Sequence, residues 1–241
     1  MRAIIDLVLL GILVICTWSG YKKGILMGVG GILAIIVSIY SANLLANVFS
    51  YDVVPALKPF VSSYMDRVMT SGDNSVLKEM GWANYDYSID DLLLRYPERQ
   101  EEFSALCFTS LGIDSLTAEN MSARTQTYAG ESGVSVRDAT VQILCETVAY
   151  VACFILAFLI IIIVLTVIGN LPNLSYKIPH LDLINDIGGA ILGLATGLLF
   201  CILLVWAMKF LGLVFKNDAL ASTRIGGWLL QRDVLYDYLN I

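Results

Sequence analysis

Residues 147–176 read TVAYVACFILAFLIIIIVLTVIGNLPNLSY, thirty consecutive positions without a charge, bounded by Glu146 and Lys177. An α-helix rises 1.5 Å per residue and crosses the hydrocarbon of a bilayer in roughly 20 residues, so this run exceeds what one passage needs. Composition points the same way. Of 241 residues 57% are apolar and 15% charged, with mean hydropathy +0.74, where a soluble domain has about 45–50% and about 25%. These values exclude a water-soluble single domain and a disordered chain. The formal charge of −6 argues against nucleic acid as a partner, since phosphates are bound by an excess of Lys and Arg.

Three further uncharged runs flank this one: Leu7 to Tyr21 (15 residues), Gly24 to Tyr51 (28) and Ile187 to Met208 (22). A charge near the bilayer centre costs about 2.5–3.5 kcal/mol, which places the span ends at Asp6, Lys22, Lys23, Asp52, Asp186 and Lys209. The first run reaches spanning length only with Ala3 to Asp6, leaving Asp6 at the membrane edge beside interfacial water or a polar partner. A cleaved signal peptide is the weaker reading, because Arg2 is the single early base, an acid follows it, and no A-x-A-like site precedes Lys22. Ile15 stands where a lipoprotein box needs a small residue before Cys16. Short connections at Gly20–Gly24 and Asn170–Asp186 join the runs in pairs. The expected fold is all-α: an integral membrane protein of four transmembrane helices in two hairpins, with a helical extramembrane insertion and an amphipathic C-terminal helix. The expected segments are a first hairpin (1–51), an acidic insertion (52–140), a second hairpin (141–213) and the tail (214–241).

The insertion holds 14 acids and 7 bases, a net of −7, so the rest of the chain carries +1. Tyr64, Met65, Val68, Leu77, Met80, Trp82, Leu92 to Leu94, Phe103, Leu106, Phe108 and Leu111 supply a small helical core. Ser88 with Asp91 and Ser135 with Asp138 have the spacing that caps the first turn of a helix, and Pro97, Gly112, Gly130 and Gly133 punctuate the rest. A helix starting near Val136 meets no breaker before Gly169 and runs into span three. In the tail, Trp228, Leu230, Val234, Leu235, Tyr238 and Leu239 recur at three- and four-residue spacing, as in a helix lying on the bilayer. Lys22, Lys23 and Lys177 lie at the hairpin tips, whereas Arg2, Lys209, Lys216, Arg224 and Arg232 lie on the opposite face, so positive charge stands on both sides; the expected arrangement puts the tips in the cytoplasm, with both termini and the insertion outside.

Gly20, Gly24 and Gly28 repeat every four residues, followed by Gly31, and Gly189, Gly193 and Gly197 do the same at the start of span four. Residues four apart share one helix face, and glycines there let a second backbone approach closely. These six are the candidate helix-packing residues. A nucleotide loop is set aside, because no Lys-Ser/Thr follows and no strand precedes. Asp6, Glu146, His180, Asp182 and Asp186 are the ionisable groups near span ends; an intramembrane acid is a candidate for ion handling, although all of these can reach the interface. Asp6, Asn185 and Asp186 are the candidate intramembrane polar residues. Asp6 is expected to form a polar clamp if it faces Asn170, Asn173 or Asn185, or to line a cation path.

Cysteines 16, 107, 145, 153 and 201 lack close pairs or His neighbours, so no zinc site is expected, and Cys107 and Cys145 can pair only if the insertion folds back near span three. With one His, no G-x-S-x-G and no H-E-x-x-H, the sequence offers no catalytic centre. It implies no metal, no cofactor and no enzyme.

Ile4-Ile5-Asp6 at the start, Gly20-Tyr21-Lys22-Lys23-Gly24 at a hairpin tip, and Asn185-Asp186-Ile187-Gly188-Gly189 followed by Gly193 and Gly197 together resemble the colicin V production protein (CvpA) family. In that family the late motif usually reads Asp-Arg-x-x-Gly-x-x-x-Gly-x-x-(Arg/Lys)-Gly. Here Asn185 and Asp186 take the places of the acid and the base, and Thr196 that of the second base. The resemblance implies a multi-pass protein of the bacterial plasma (inner) membrane. It would be a non-catalytic component supporting toxin production or secretion and envelope homeostasis, assembling with other membrane proteins or with itself in the lipid bilayer. The rival expectation is a small transporter or channel subunit with Asp6 or Asp186 on the path.

Overall fold

The computed structural model describes residues 2–70, 75–84, 86–170 and 182–210. Among them every regular element is helical: α1 (Arg2–Thr70), α2 (Val76–Glu79), α3 (Ile89–Arg95), a 3-10 turn (Pro97–Arg99), α4 (Gln100–Ser110), α5 (Ser115–Ser132), α6 (Val136–Asn170) and α7 (Asp182–Phe210). Three of these, α1, α6 and α7, are long and apolar enough to cross a membrane. The expected tail helix, His180 and the Pro172–Pro179 connection lie outside the described residues.

α1 is not one rod. At Gly24 the backbone adopts φ 76°, ψ −179° and divides the helix into arms 2–23 and 25–70. A residue with a Cβ pays about 1–3 kcal/mol at this positive φ with extended ψ, a conformation essentially confined to glycine. The expected five-residue turn at Gly20–Gly24 is therefore narrower than the sequence reading: Gly20 to Lys23 stay helical and the reversal of backbone conformation is confined to Gly24. Side-chain contacts at helical spacing favour this. The Trp18 and Tyr21 rings stack at 6.0 Å, and the Lys22 ammonium lies 5.2 Å from the Trp18 ring. The second arm also continues past Asp52 to Thr70, through Pro55 and Pro59. Each proline removes one N–H and costs helix stability, yet apolar contacts of Val54, Met65 and Met69 hold the segment helical.

The chain forms two compact units, with described residues 2–48, 152–170 and 182–208 in the first and 49–70, 75–84, 86–151 and 209–210 in the second. In the first unit α7 packs on both arms of α1. Along arm 2–23, Ile5, Leu9, Leu13, Cys16 and Gly20 meet progressively earlier residues of α7, from Val205 back to Gly189. Along arm 25–70, Ile25, Gly28 and Gly31 meet Gly188, Leu192 and Thr196 in increasing order. α7 thus runs antiparallel to the first arm and parallel to the second. α6 joins through aromatic edges, Phe154 on Trp206 at 5.1 Å and Phe158 on Phe200 at 6.1 Å. The outside of this unit is apolar: Leu7, Ile15, Leu156, Ile163 and Ile191 are each at least 60% exposed. Leaving such side chains in water forgoes about 1.5–3 kcal/mol apiece; in hydrocarbon it costs nothing.

The second unit has an ordinary buried core. Phe103, Cys107 and Phe108 of α4 pack with Ala118 and Met121 of α5, Met65 and Met69 of α1, and Val141, Leu144 and Cys145 of α6. Met80, Trp82, Leu92, Leu93 and Leu111 are buried as the sequence reading expects, Val68, Leu77 and Leu106 pack at the edge, while Leu94 and Tyr64 face outward. Ser122 ties α5 to α4 by donating to the Glu101 carbonyl at 2.9 Å. Both expected caps form, with the amides of Asp91 and Asp138 donating to the hydroxyls of Ser88 and Ser135 at 3.1 and 3.2 Å. Gly133, at φ 68°, ends α5. Arg137 of α6 pairs with Asp66 of α1 at 2.5 Å, and this partner raises the guanidinium pKa further. Cys107 and Cys145 share the core yet remain free thiols. Burial pushes the Cys107 thiol far above its usual range.

Candidate helix-packing site

The site is built where α7 passes Gly24. Positions 20, 24 and 28 of α1 and 189, 193 and 197 of α7 are the sequence-derived glycines, and all six lie at backbone or near-backbone contacts. A Cβ on Gly193 would strike the Cys16 carbonyl oxygen and sit 3.0 Å from the Gly20 Cα. One on Gly20 would strike the Gly189 carbonyl and sit 2.7 Å from the Gly193 Cα. One on Gly189 would lie 2.8 Å from the Gly24 Cα, one on Gly28 2.7 Å from the Leu192 Cβ, and one on Gly197 3.3 Å from the Leu13 Cα. Four of these neighbours are backbone atoms of another glycine, where no rotamer change makes room. By contrast Gly11, Gly30 and Gly169 have nothing within 4 Å. Glycine abundance in apolar helices accounts for the latter three; the former six stand where helices touch.

Asn185 closes the site. Its side chain is buried, with 4% exposure, and its Oδ1 accepts the Ile25 backbone N–H at 3.0 Å. The break at Gly24 leaves the first amides of the 25–70 arm without carbonyls one turn back, so each needs an outside acceptor. Asn185 provides one from another helix. A Cβ on Gly24 would also lie 2.6 Å from that Oδ1, so space and conformation select glycine there together. A neutral amide accepts this bond without the desolvation cost of a buried carboxylate.

The polar clamp expected between Asp6 and Asn185 is not formed. Asn185 lies at Gly24, eighteen residues along the arm from Asp6, about 27 Å at 1.5 Å per residue. Asp6 is half-buried at the far end, beside Ile5, whose cluster includes Leu9, Cys201 and Val205. Asp186 is half-buried next to the clamp residue. Asn173 lies outside the described residues, as does the side chain of Asn170. Gly31, noted after the repeat, and Gly188, noted in the late motif, are not among the six expected packing residues, yet a Cβ on Gly188 would meet the Ile25 side chain at 2.5 Å and one on Gly31 would meet Thr196 at an ordinary 3.7 Å. The doublet Gly188-Gly189 was the available signal, since a helix touching two neighbours needs small residues on two faces.

Residues 117–232 match the family model described as Colicin V production protein, 116 of the 241 residues. Over those residues the chain is similar to the colicin V production protein family. The match takes in α6, α7 and the motif from Asn185 to Gly197; the early motif, Asp6 with Gly20 to Gly24, lies outside it. No curated protein matches the chain. No solved structure matches it either. Within the matched stretch, then, α7 supplies one half of the glycine contact, and the arms of α1, which precede it in the chain, supply the other.

Proposed function

We propose that the chain is a four-span protein of the bacterial plasma membrane in which Gly24 turns the first hairpin and α7 packs into it, and that it serves colicin V-type toxin production or secretion and envelope homeostasis by assembly, not by covalent chemistry. The observation carrying this reading is the pair of opposed contact series along α7, descending on one arm of α1 and ascending on the other. A chain can give both series only if it reverses between them. The apolar exterior of the same unit supports lipid as its surroundings. The family match supports the link to toxin production. The partners are other membrane proteins or further copies of the chain, held in the bilayer.

Two measurements test it. A Lys22→Cys variant and a Ser110→Cys variant, each on a background otherwise lacking cysteine, should label from opposite sides of sealed vesicles, and the protein should stay with membranes in alkaline carbonate. Cells lacking the chain should release less colicin V-type toxin, with output restored by the parent chain and not by Gly193→Leu. Labelling of both positions from one side overturns the topology; unchanged toxin output overturns the role.

A further inference from the structure

Between the arms of α1, α6 and α7 the first unit leaves a slot of about 240 Å³. Its walls are graded along the membrane direction. Lys23 and Ser19 stand at the end near Gly24; below them come Thr166 and Gly28, then Ile162, Thr196 and Gly31; Ile35 and Phe200 close the far end. The two threonines do not make the interior polar. Thr166 and Thr196 donate their hydroxyls to the carbonyls of Ile162 and Leu192 in their own helices, at 2.6 and 2.8 Å. Below the mouth the slot is effectively apolar.

The geometry points to a binding site for an anionic phospholipid, its phosphate at Lys23 and one acyl chain in the slot; this rests on the membrane-spanning reading above. From Met27 to Ile35 the slot follows eight residues of helix, about 12 Å at 1.5 Å per residue. That is narrow and long. Its volume falls below the roughly 300–1,000 Å³ of sites that enclose a compact drug-sized ligand, and it suits a flexible chain better. Ile15, on the rim, is 70% exposed on the apolar exterior, so an occupant enters from the hydrocarbon. Interleaved with Ser19 and Lys23 along the same arm, though not lining the slot, the Trp18, Tyr21 and Lys22 cluster has the composition of a membrane–water interface. This sets Lys23 at headgroup depth. A cation at headgroup depth above an apolar channel complements a lipid carrying net negative charge.

The full chain, extracted in mild detergent, is mixed with phosphatidylglycerol or phosphatidylcholine of identical acyl chains, and bound lipids are counted by native mass spectrometry. The parent should retain phosphatidylglycerol about fivefold better, the contribution of one Lys near an anionic surface. Lys23→Gln should abolish that preference while leaving some of both lipids bound. Gly31→Leu fills the slot from a position where a Cβ meets only the Thr196 side chain, and should remove both lipids. Lys22→Gln, whose ammonium lies over Trp18, should keep the preference. Equal retention of the two lipids by the parent, equal loss in the Lys22 and Lys23 variants, or undiminished binding by Gly31→Leu overturns the site. Failure of the membrane reading would appear separately, as release of the chain by alkaline carbonate before any lipid is added.

Discussion

The side-chain oxygen of Asn185 accepts the backbone N–H of Ile25 at 3.0 Å, joining residues 160 positions apart. One bond therefore couples the break in α1 to the start of α7, which ties a local backbone problem to the packing of two helices.

Removing that acceptor tests the coupling. Asn185→Ala leaves the part-buried Ile25 amide without this acceptor, and an unsatisfied buried donor costs up to about 1–3 kcal/mol. Thermal unfolding in detergent, followed by tryptophan fluorescence, should show a lowered midpoint. Asn185→Gln places its oxygen one methylene further out and should restore little. An unchanged midpoint for Asn185→Ala would mean the amide is satisfied some other way.

The glycine face makes a sharper contrast. Gly193→Leu drives a side chain into the Cys16 carbonyl and the Gly20 backbone, and overpacking of this kind costs about 1–3 kcal/mol or more. Gly11→Ala, at a position with open space around it, should be neutral or slightly stabilising, because alanine favours helix by up to about 1 kcal/mol. Leu198→Ala, at a 39% exposed position, should fall between them. Detergent melting of the three variants checks the order, and equal effects at 193 and 11 would remove the contact face.

Much of this was legible in the sequence, for local reasons. Ser88 and Ser135 mark helix starts because capping acts within three residues, and the unbroken α6 follows from the absence of any Gly or Pro between Val136 and Gly169. The glycine spacing announced a contact face, since period four is a property of one helix. Its partner was not legible, because which helix fills that face is decided by contacts between residues far apart in sequence. Lys22 and Lys23 read as a loop although they remain helical, and Asp52 reads as a span end although the helix continues through Pro55 and Pro59 to Thr70. In both cases tertiary contacts outweigh the local signal. Asn185 stood out as a polar residue at a span end, but its partner is a backbone amide, which carries no sequence mark.

In the second unit Cys107 is fully buried and its thiol is pushed well above its usual range by desolvation. The thiolate is the reactive species, so lack of access and lack of ionisation act together. A water-soluble maleimide at pH 8 should leave Cys107 unmodified in the folded protein and modify it after denaturation, as read by peptide mass mapping. Modification at comparable rates in both states would show that the α4–α5 core opens readily.

Arg99 serves three groups at once. It donates to the Met80 carbonyl at 3.0 Å, lies 5.2 Å from the Trp82 ring and pairs with Glu102 at 2.9 Å. The hydrogen bond from Arg99 holds the Glu102 carboxyl below its usual range. A lowered folded pKa means that the pair's stabilisation is present above the unfolded carboxylate value and is lost as pH falls through the folded one. Both side chains are substantially solvent-exposed, so this contribution is small, within about 0–1 kcal/mol. Glu102→Gln should therefore slightly flatten the drop in unfolding midpoint between pH 7 and pH 3. Arg99→Ala should cost more at pH 7, because it also strips the Met80 carbonyl and the Trp82 face of a partner. A larger loss from Glu102→Gln than from Arg99→Ala at pH 7 would place the stabilisation in the ion pair instead of the contacts with Met80 and Trp82.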